Sequence, residues 1–138
     1  MTDAEFAAQK ERIVTLIIRW TPLLGLKWWR TEYCYARSHD EMPDAASQMA
    51  AAVCSVLWPY MDVKISWDLS LIADMDDERL EATFVHEWMH AFVREMRDDT
   101  GHDDINHEER VCSMLARAFV WTCDGIKSQQ DSVGEAGK

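Results

Sequence analysis

Alternating apolar and polar side chains mark one segment near the middle of the chain. In residues 61–69, every second position from Val63 to Leu69 is apolar and the positions between them are polar. A period of two places alternate side chains on opposite faces of a sheet, so this segment is predicted to be a strand with one buried face. Residues 26–37, rich in aromatic residues, are predicted to be another strand. Residues 45–57 contain alanines that favour helix, but we favour strand because residues 61–69 need a partner.

Two segments show the 3.6-residue periodicity of amphipathic helices. Residues 3–20 form the first, with Asp3 as a candidate cap. Thr21-Pro22 is expected to end it, because the residue before a proline disfavours the helical region. Residues 77–97 form the second, after an Asp-rich cap. The stripe of this helix predicted to face the core is Val85, Met89, Phe92, Val93 and Met96.

A further helix is predicted over residues 108–123, where Asp124-Gly125 is expected to end it. We expect one domain over residues 1–123 and a polar, disordered tail over residues 124–138. The order of elements indicates an α+β fold with an N-terminal helix, a small, mostly antiparallel three-stranded sheet and two C-terminal helices.

Charge and cysteine usage restrict the class of protein. The net charge of −11 argues against nucleic acid and anionic membranes as partners, because no basic stripe is available to neutralise phosphates. No segment reaches the roughly 18 apolar residues of a transmembrane helix, and the acidic N-terminus is unlike a secretory signal. The four cysteines form no C-x-x-C pair and are expected to be free thiols. These features predict an intracellular, cytoplasmic protein.

The segment with the most specific chemistry is His86-Glu87-Trp88-Met89-His90, within the predicted helix 77–97. Two imidazoles four residues apart lie on one face of a helix and can bind one metal ion. Glu87 points about 100° away from His86, toward the side where a metal-activated water would lie, and is the candidate general base. Trp88 points away from the histidines and is expected in the core or in a groove wall.

A catalytic zinc ion usually has three protein ligands, so a third one is expected downstream of His90. The last predicted helix is a more rigid carrier than the acidic loop before it. Helical phase slightly favours Glu108, which points away from the polar face of that helix, and leaves Glu109 open. The full set of candidates is Asp98, Asp99, His102, Asp103, Asp104, His107, Glu108 and Glu109.

The pentad, followed nineteen residues after His90 by Glu109, resembles the gluzincins, the thermolysin-like clan of zinc peptidases. The segment Glu109-Arg-Val-Cys-Ser-Met-Leu-Ala116 fits the E-x-x-small-polar-x-apolar-small pattern of the clan better than the same pattern started at Glu108. The order of elements is also similar to minimal gluzincins, some of them encoded by phages and prophages. The resemblance implies one zinc ion held by His86, His90 and Glu109, with hydrolysis of a peptide or protein substrate and Glu87 as general base.

Two points depart from that clan or stay open. The clan often has Asp or Asn four residues after the ligand glutamate, where this chain has Ser113. An oxyanion donor is also expected, and the local candidates for it are Tyr33, Tyr35, His102 and His107.

Two expectations concern the partner. If residues 61–69 form the sheet edge, an extended peptide could add alongside them. The alternative function is a zinc-binding protein without catalytic activity, for example a phage protein acting on a host partner. The small size of the chain and the unidentified oxyanion donor motivate this alternative.

Overall fold

The described residues form four α-helices and three strands in an α+β arrangement, which confirms the predicted layout. The computed structural model describes residues 1–42, 50–94 and 105–135, without the side chains of residues 58, 105–107 and 127–135. Short 3-10 turns lie at His39–Glu41 and Trp58–Tyr60. The main elements are α1 (Asp3–Leu23), β1 (Arg30–Ala36), β2 (Ala52–Leu57), β3 (Asp62–Asp68), α2 (Leu69–Ala73), α3 (Asp77–Val93) and α4 (Ile105–Glu135).

Strand β3 lies at the centre of the sheet, in the order β1-β3-β2. The antiparallel pair is β2 with β3, and the parallel pair is β1 with β3, so the sheet is mixed. The parallel pair is possible because a long connection separates β1 from β3 in the chain. Val63, Ile65 and Trp67 are buried, as the alternation predicts, but the polar positions Ser66 and Asp68 are buried too, so the other face is not solvated at that end. The condition for adding a peptide alongside residues 61–69 is not met, because β3 has a strand on each side and is not a sheet edge.

Helix α1 includes Pro22 and does not end before it. Thr2, rather than Asp3, caps the helix in a capping box with Glu5. The predicted end at Thr21-Pro22 is wrong, because Pro22 lies inside the last turn and the helix ends at Leu23. A proline removes one hydrogen bond to the carbonyl four residues earlier. That residue is Ile18, which is 72% exposed, so water can satisfy its carbonyl.

Helix α4 continues past the expected stop. Asp124-Gly125 does not end it, and helical backbone extends to Glu135. Glycine ends helices when it adopts the left-handed conformation. Among described glycines only Gly25 has a positive φ, so Gly125 follows the helix instead. The division of the chain into a domain of residues 1–123 and a tail stays a prediction.

The core between the sheet and the helices fixes the orientation of α3. The ring of Trp67 on β3 stacks on Phe84 of α3, with centroids 5.8 Å apart. Trp88 is fully buried, in agreement with the core position predicted for it. The predicted stripe holds at Val85, Met89 and Val93, but Phe92 is 44% exposed, because it points away from the sheet, and Met96 lies outside the described residues. The adjacent face of α3, about 100° from this stripe, carries the histidines and faces α4.

Two further expectations concern the state of the cysteines and the absence of a membrane-spanning helix. All four cysteines are free thiols, and Cys34 and Cys54 lie on strands separated by β3. Among the described helices, none has the length and apolar composition needed to cross a membrane.

We expect Arg12 to stabilise the fold, because its guanidinium ties α1 to the turn before α3. It donates to the carbonyls of Ile72 and Met75, at 3.1 and 2.8 Å, and lies 2.7 Å from Asp77 Oδ1. Arg12→Ala should lower the free energy of unfolding by about 1–3 kcal/mol, measured by urea denaturation. Arg30→Ala, at an exposed ion pair with Asp62, should lower it by less than about 1 kcal/mol. Equal losses for the two variants would contradict this role.

Candidate metal centre

Three side chains from two helices converge on one point between α3 and α4. The Nε2 atoms of His86 and His90 lie 3.2 Å apart. Glu109 of α4 places Oε2 3.1 Å from His86 Nε2 and Oε1 3.4 Å from His90 Nε2. One ligand atom from each residue lies within 4.8 Å of the other two. The group has the donor types and the spacing needed to hold a metal ion.

The outer nitrogens of both imidazoles have partners of their own. Glu108 Oε1 lies 2.8 Å from His90 Nδ1, and Ser113 Oγ lies 3.3 Å from His86 Nδ1. A carboxylate can only accept, so it favours the tautomer of His90 with the proton on Nδ1 and a lone pair on Nε2. The inner Nε2 of His90 is then an electron-pair donor that faces His86 Nε2 and the carboxylate of Glu109. Imidazole nitrogens and carboxylate oxygens are ligands of metal ions such as zinc, so the donor set fits a metal ion.

Glu108 and Glu109 have different positions in this geometry. Both oxygens of Glu109 face the histidines, whereas Glu108 lies against the outer nitrogen of His90. The slight preference for Glu108 by helical phase disagrees with this arrangement. The centre lies at the solvent edge of the helix interface, where the side chain of Glu109 is 50% exposed and that of Glu108 only 13%. The geometry favours Glu109 as the third ligand and Glu108 as the residue that orients His90.

Ser113 takes the position at which the clan often has Asp or Asn. Its hydroxyl is within reach of His86, so a shorter side chain contacts the ring there. Cys112, one residue earlier, places Sγ 3.5 Å from His90 Nδ1, a contact that the sequence analysis did not predict. The i, i+4 spacing of Glu108 and Cys112 places both on one face of α4 and could have indicated it.

Glu87 is a buried carboxyl at this centre. Only 7% of the residue is exposed, and it lines the same cleft as the histidines. Burial raises the pKa of its carboxyl to about 8, and the negative charge of Glu109 contributes in the same direction. A carboxyl with a pKa near neutrality is suited to general acid–base work.

The protonation of His86 also suits metal binding. Burial lowers the pKa of its imidazole, and the neighbouring His90 lowers it further, against an opposite effect of Glu109. The ring therefore favours the neutral form, which is the form that binds metals.

The centre opens into a cleft with a volume of about 830 Å³. Helices α3 and α4 form two of its walls, and the third includes residues 50–54, at the start of β2. A cleft of this volume can hold a segment of a peptide or a small molecule.

The tyrosines proposed as oxyanion donors lie elsewhere. Tyr33 packs edge-on against the buried ring of Trp88, and burial raises the pKa of its hydroxyl to about 12. Tyr35 lies under the ammonium group of Lys10. Both belong to β1, on the far side of β3 from β2, and neither lines the cleft, so their proposed role is wrong. The other two candidates for the oxyanion donor, His102 and His107, lie outside the described side chains. The same is true of Asp98, Asp99, Asp103 and Asp104, which were candidates for the third metal ligand.

No protein-family model, curated protein or solved structure matches the chain. The functional interpretation therefore depends on the sequence motif and on the geometry of the centre.

We expect the two adjacent glutamates to differ in their effect on zinc affinity. Glu109→Ala removes a ligand and should weaken zinc binding by more than about a hundredfold. Glu108→Ala removes the partner of His90 Nδ1 and should weaken it by about ten- to a hundredfold. Competition with a chromophoric chelator measures both affinities. Equal, small losses, or a larger loss for Glu108→Ala, would contradict the assignment.

The raised pKa of Glu87 predicts a pH-dependent stability of the metal-free protein. The folded-state pKa of about 8 lies above the ordinary value of 4.5 for a glutamate, so the folded state binds the extra proton. The protonated carboxyl of Glu87 contributes its full stabilisation below a pH of 4.5, the ordinary value of its pKa. This stabilisation is lost as the pH rises through the folded-state pKa of about 8. Glu87→Gln should therefore gain stability relative to the parent with rising pH, by up to about 1.4 kcal/mol per pH unit.

Urea denaturation of chelator-treated protein at several pH values measures this difference. Glu78→Gln, an exposed substitution on the same helix, should show a constant difference from the parent. A pH-independent difference for Glu87→Gln would show that the carboxyl of Glu87 is not perturbed in the fold.

Proposed function

We propose that the protein is a zinc-dependent metallopeptidase that holds one zinc ion with His86, His90 and Glu109. The observation that carries the proposal is the position of Glu87, a buried carboxyl beside three convergent donors at the wall of an open cleft. A structural zinc site has four protein ligands and needs no neighbouring base, whereas a catalytic site keeps one position for water or substrate. The three proposed ligands all line the cleft, which supports the catalytic type.

Each residue of the centre would have a separate task. A zinc ion at this site would polarise the scissile carbonyl and lower the pKa of a water molecule to roughly 7. Glu87 would be ionised beside a cation, because a nearby positive charge favours the carboxylate. It would then accept the proton of the attacking water and donate it to the leaving amine. Glu108 and Ser113 would hold the two imidazole rings in place.

The substrate is proposed to be an extended peptide. Strand β2 has β3 on one side and no described strand on the other, and its first residues line the cleft. An extended peptide can hydrogen-bond to the free edge of a strand. Such a peptide would lie between β2 and α3 and pass beside His86 and Glu87. This edge replaces residues 61–69, which form the central strand.

A second candidate is a zinc-binding module that recognises a protein partner without cleaving it. One observation favours it. The described residues that line the cleft include no tyrosine, and no histidine besides the two proposed ligands, to stabilise an oxyanion. The metal centre would be the same in both cases, so metal content alone does not separate the two functions.

Glu87→Gln separates them. The variant should bind zinc as the parent does, since Glu87 is not among the convergent donors, and should lose at least about a hundredfold in peptide cleavage. Mass spectrometry of a peptide library incubated with zinc-loaded protein measures cleavage, and Glu78→Gln is the matched control on the same helix.

Undiminished cleavage by Glu87→Gln would contradict the proposed general base. A parent protein that binds one zinc ion and cleaves no member of the library would contradict the enzyme function and favour the binding module.

A further inference from the structure

The charged residues in the cleft are divided between its two ends. The acidic ones, Glu87, Glu108 and Glu109, all lie at the metal centre. The described lining residues away from that centre include two charged ones, and both are arginines, Arg79 on α3 and Arg117 on α4. The separation of the two arginines from the three glutamates, rather than their number, is the feature of interest.

Both guanidinium groups are available to a ligand. Neither Arg79 nor Arg117 has an ion pair or a side-chain hydrogen bond with the described residues, and both are exposed. Four other arginines of the chain form ion pairs with carboxylates, at distances of 2.5–2.7 Å. They are Arg12, Arg19, Arg30 and Arg37. Within the described part of the chain, the cleft therefore holds positive charge that no carboxylate pairs with.

The two arginines lie at the same end of the cleft. The contacts of His86 with Ser113 and of His90 with Glu108 show that α3 and α4 run antiparallel. Arg79 precedes His86 by seven residues, about 10 Å along α3, and Arg117 follows Glu109 by eight residues, about 12 Å along α4. An extended peptide advances about 3.3 Å per residue, so these groups would face a substrate residue two to four positions from the scissile bond.

We infer that Arg79 and Arg117 form a specificity subsite for a carboxylate of the substrate, two to four residues to one side of the cleaved bond. The inference rests on the proposed function and adds the class of substrate to it. The carboxylate could belong to an aspartate or glutamate side chain or to a chain terminus, and a planar guanidinium binds either in the same way. Alanines also line the cleft, at positions 50–52, 82 and 116, and their short side chains leave room for a substrate side chain.

The net negative charge of the protein opposes the binding of acidic peptides, so a preference for them would point to a local cause. A chain of net charge −11 repels acidic peptides at long range, so selection of one requires a local source of positive charge. Two exposed ion pairs of ordinary strength correspond to a preference of about two- to thirtyfold for glutamate over lysine. The preference should decrease with salt.

Binding to the zinc-loaded Glu87→Gln protein tests the inference without requiring cleavage. The probes are peptides with blocked termini and a single glutamate, glutamine or lysine moved along an otherwise neutral sequence, and a second set with a free C-terminal carboxylate at the same positions. Fluorescence anisotropy should give the tightest binding for glutamate, or for the terminal carboxylate, at one position. Comparison of the affinities of the two peptide sets shows whether a side-chain carboxylate or a terminal carboxylate is recognised.

Variants assign the preference to the two arginines. In the Glu87→Gln background, Arg79→Gln with Arg117→Gln should abolish the preference for the carboxylate, and Arg79→Glu with Arg117→Glu should reverse it in favour of lysine. Arg30→Gln with Arg110→Gln removes the same charge from residues that do not line this cleft, and should leave the preference intact.

The outcomes also separate this inference from the proposed function. Cleavage by the parent with no preference for acidic peptides, or with one that the Arg79 and Arg117 variants do not change, would overturn the subsite alone. Arginine-dependent binding of acidic peptides by a protein that cleaves nothing would support the subsite and overturn the peptidase. An absence of peptide binding by the zinc-loaded protein, together with an absence of cleavage, would overturn both.

Discussion

The antiparallel packing of α3 against α4 determines the geometry of the candidate centre, because each helix supplies only part of it. A slip of one helical turn, about 5.4 Å, would separate Glu109 from the two histidines. Arg19 of α1 opposes such a slip, since its guanidinium lies 2.5 Å from Glu81 on α3 and 3.6 Å from Asp124 on α4. Trp20, the next residue, also donates its indole N–H to Glu81, at 2.7 Å. The first helix thus holds the register in which the metal-binding atoms meet.

The electrostatics of the centre follow from that register. Two imidazoles and a carboxylate converge beside the buried carboxyl of Glu87, whose pKa is raised by burial and by the negative charge of Glu109. Proteins retain such arrangements at functional sites, where a ligand or a metal ion supplies the missing charge. Away from the centre the cleft is lined by Arg79 and Arg117, which we propose as the positive charge for a substrate group.

Features with a local physical cause were predictable from the sequence. The alternation of residues 61–69 identified β3, and the i, i+4 spacing placed His86 and His90 on one face. Pairing in the sheet was not predictable, because the central place of β3 depends on contacts between distant segments. Pro22 and Gly125 gave misleading stop signals, since both residues tolerate a helix that other contacts stabilise. Glu108 and Glu109 point in directions that differ by about 100° around the axis of α4. Which of them faces the histidines depends on how α4 packs against α3, and the periodicity of one helix does not determine that packing.

X-ray absorption spectroscopy of the purified protein loaded with one equivalent of zinc tests the centre most directly, because it reports the ligand atoms themselves. We expect two imidazole nitrogens and carboxylate or water oxygens at about 2.0–2.2 Å, and no sulfur. The oxygen contribution should change in Glu109→Ala and stay the same in Glu108→Ala. A sulfur shell at about 2.3 Å would place Cys112 on the metal instead, and a protein that binds no zinc would contradict the account as a whole.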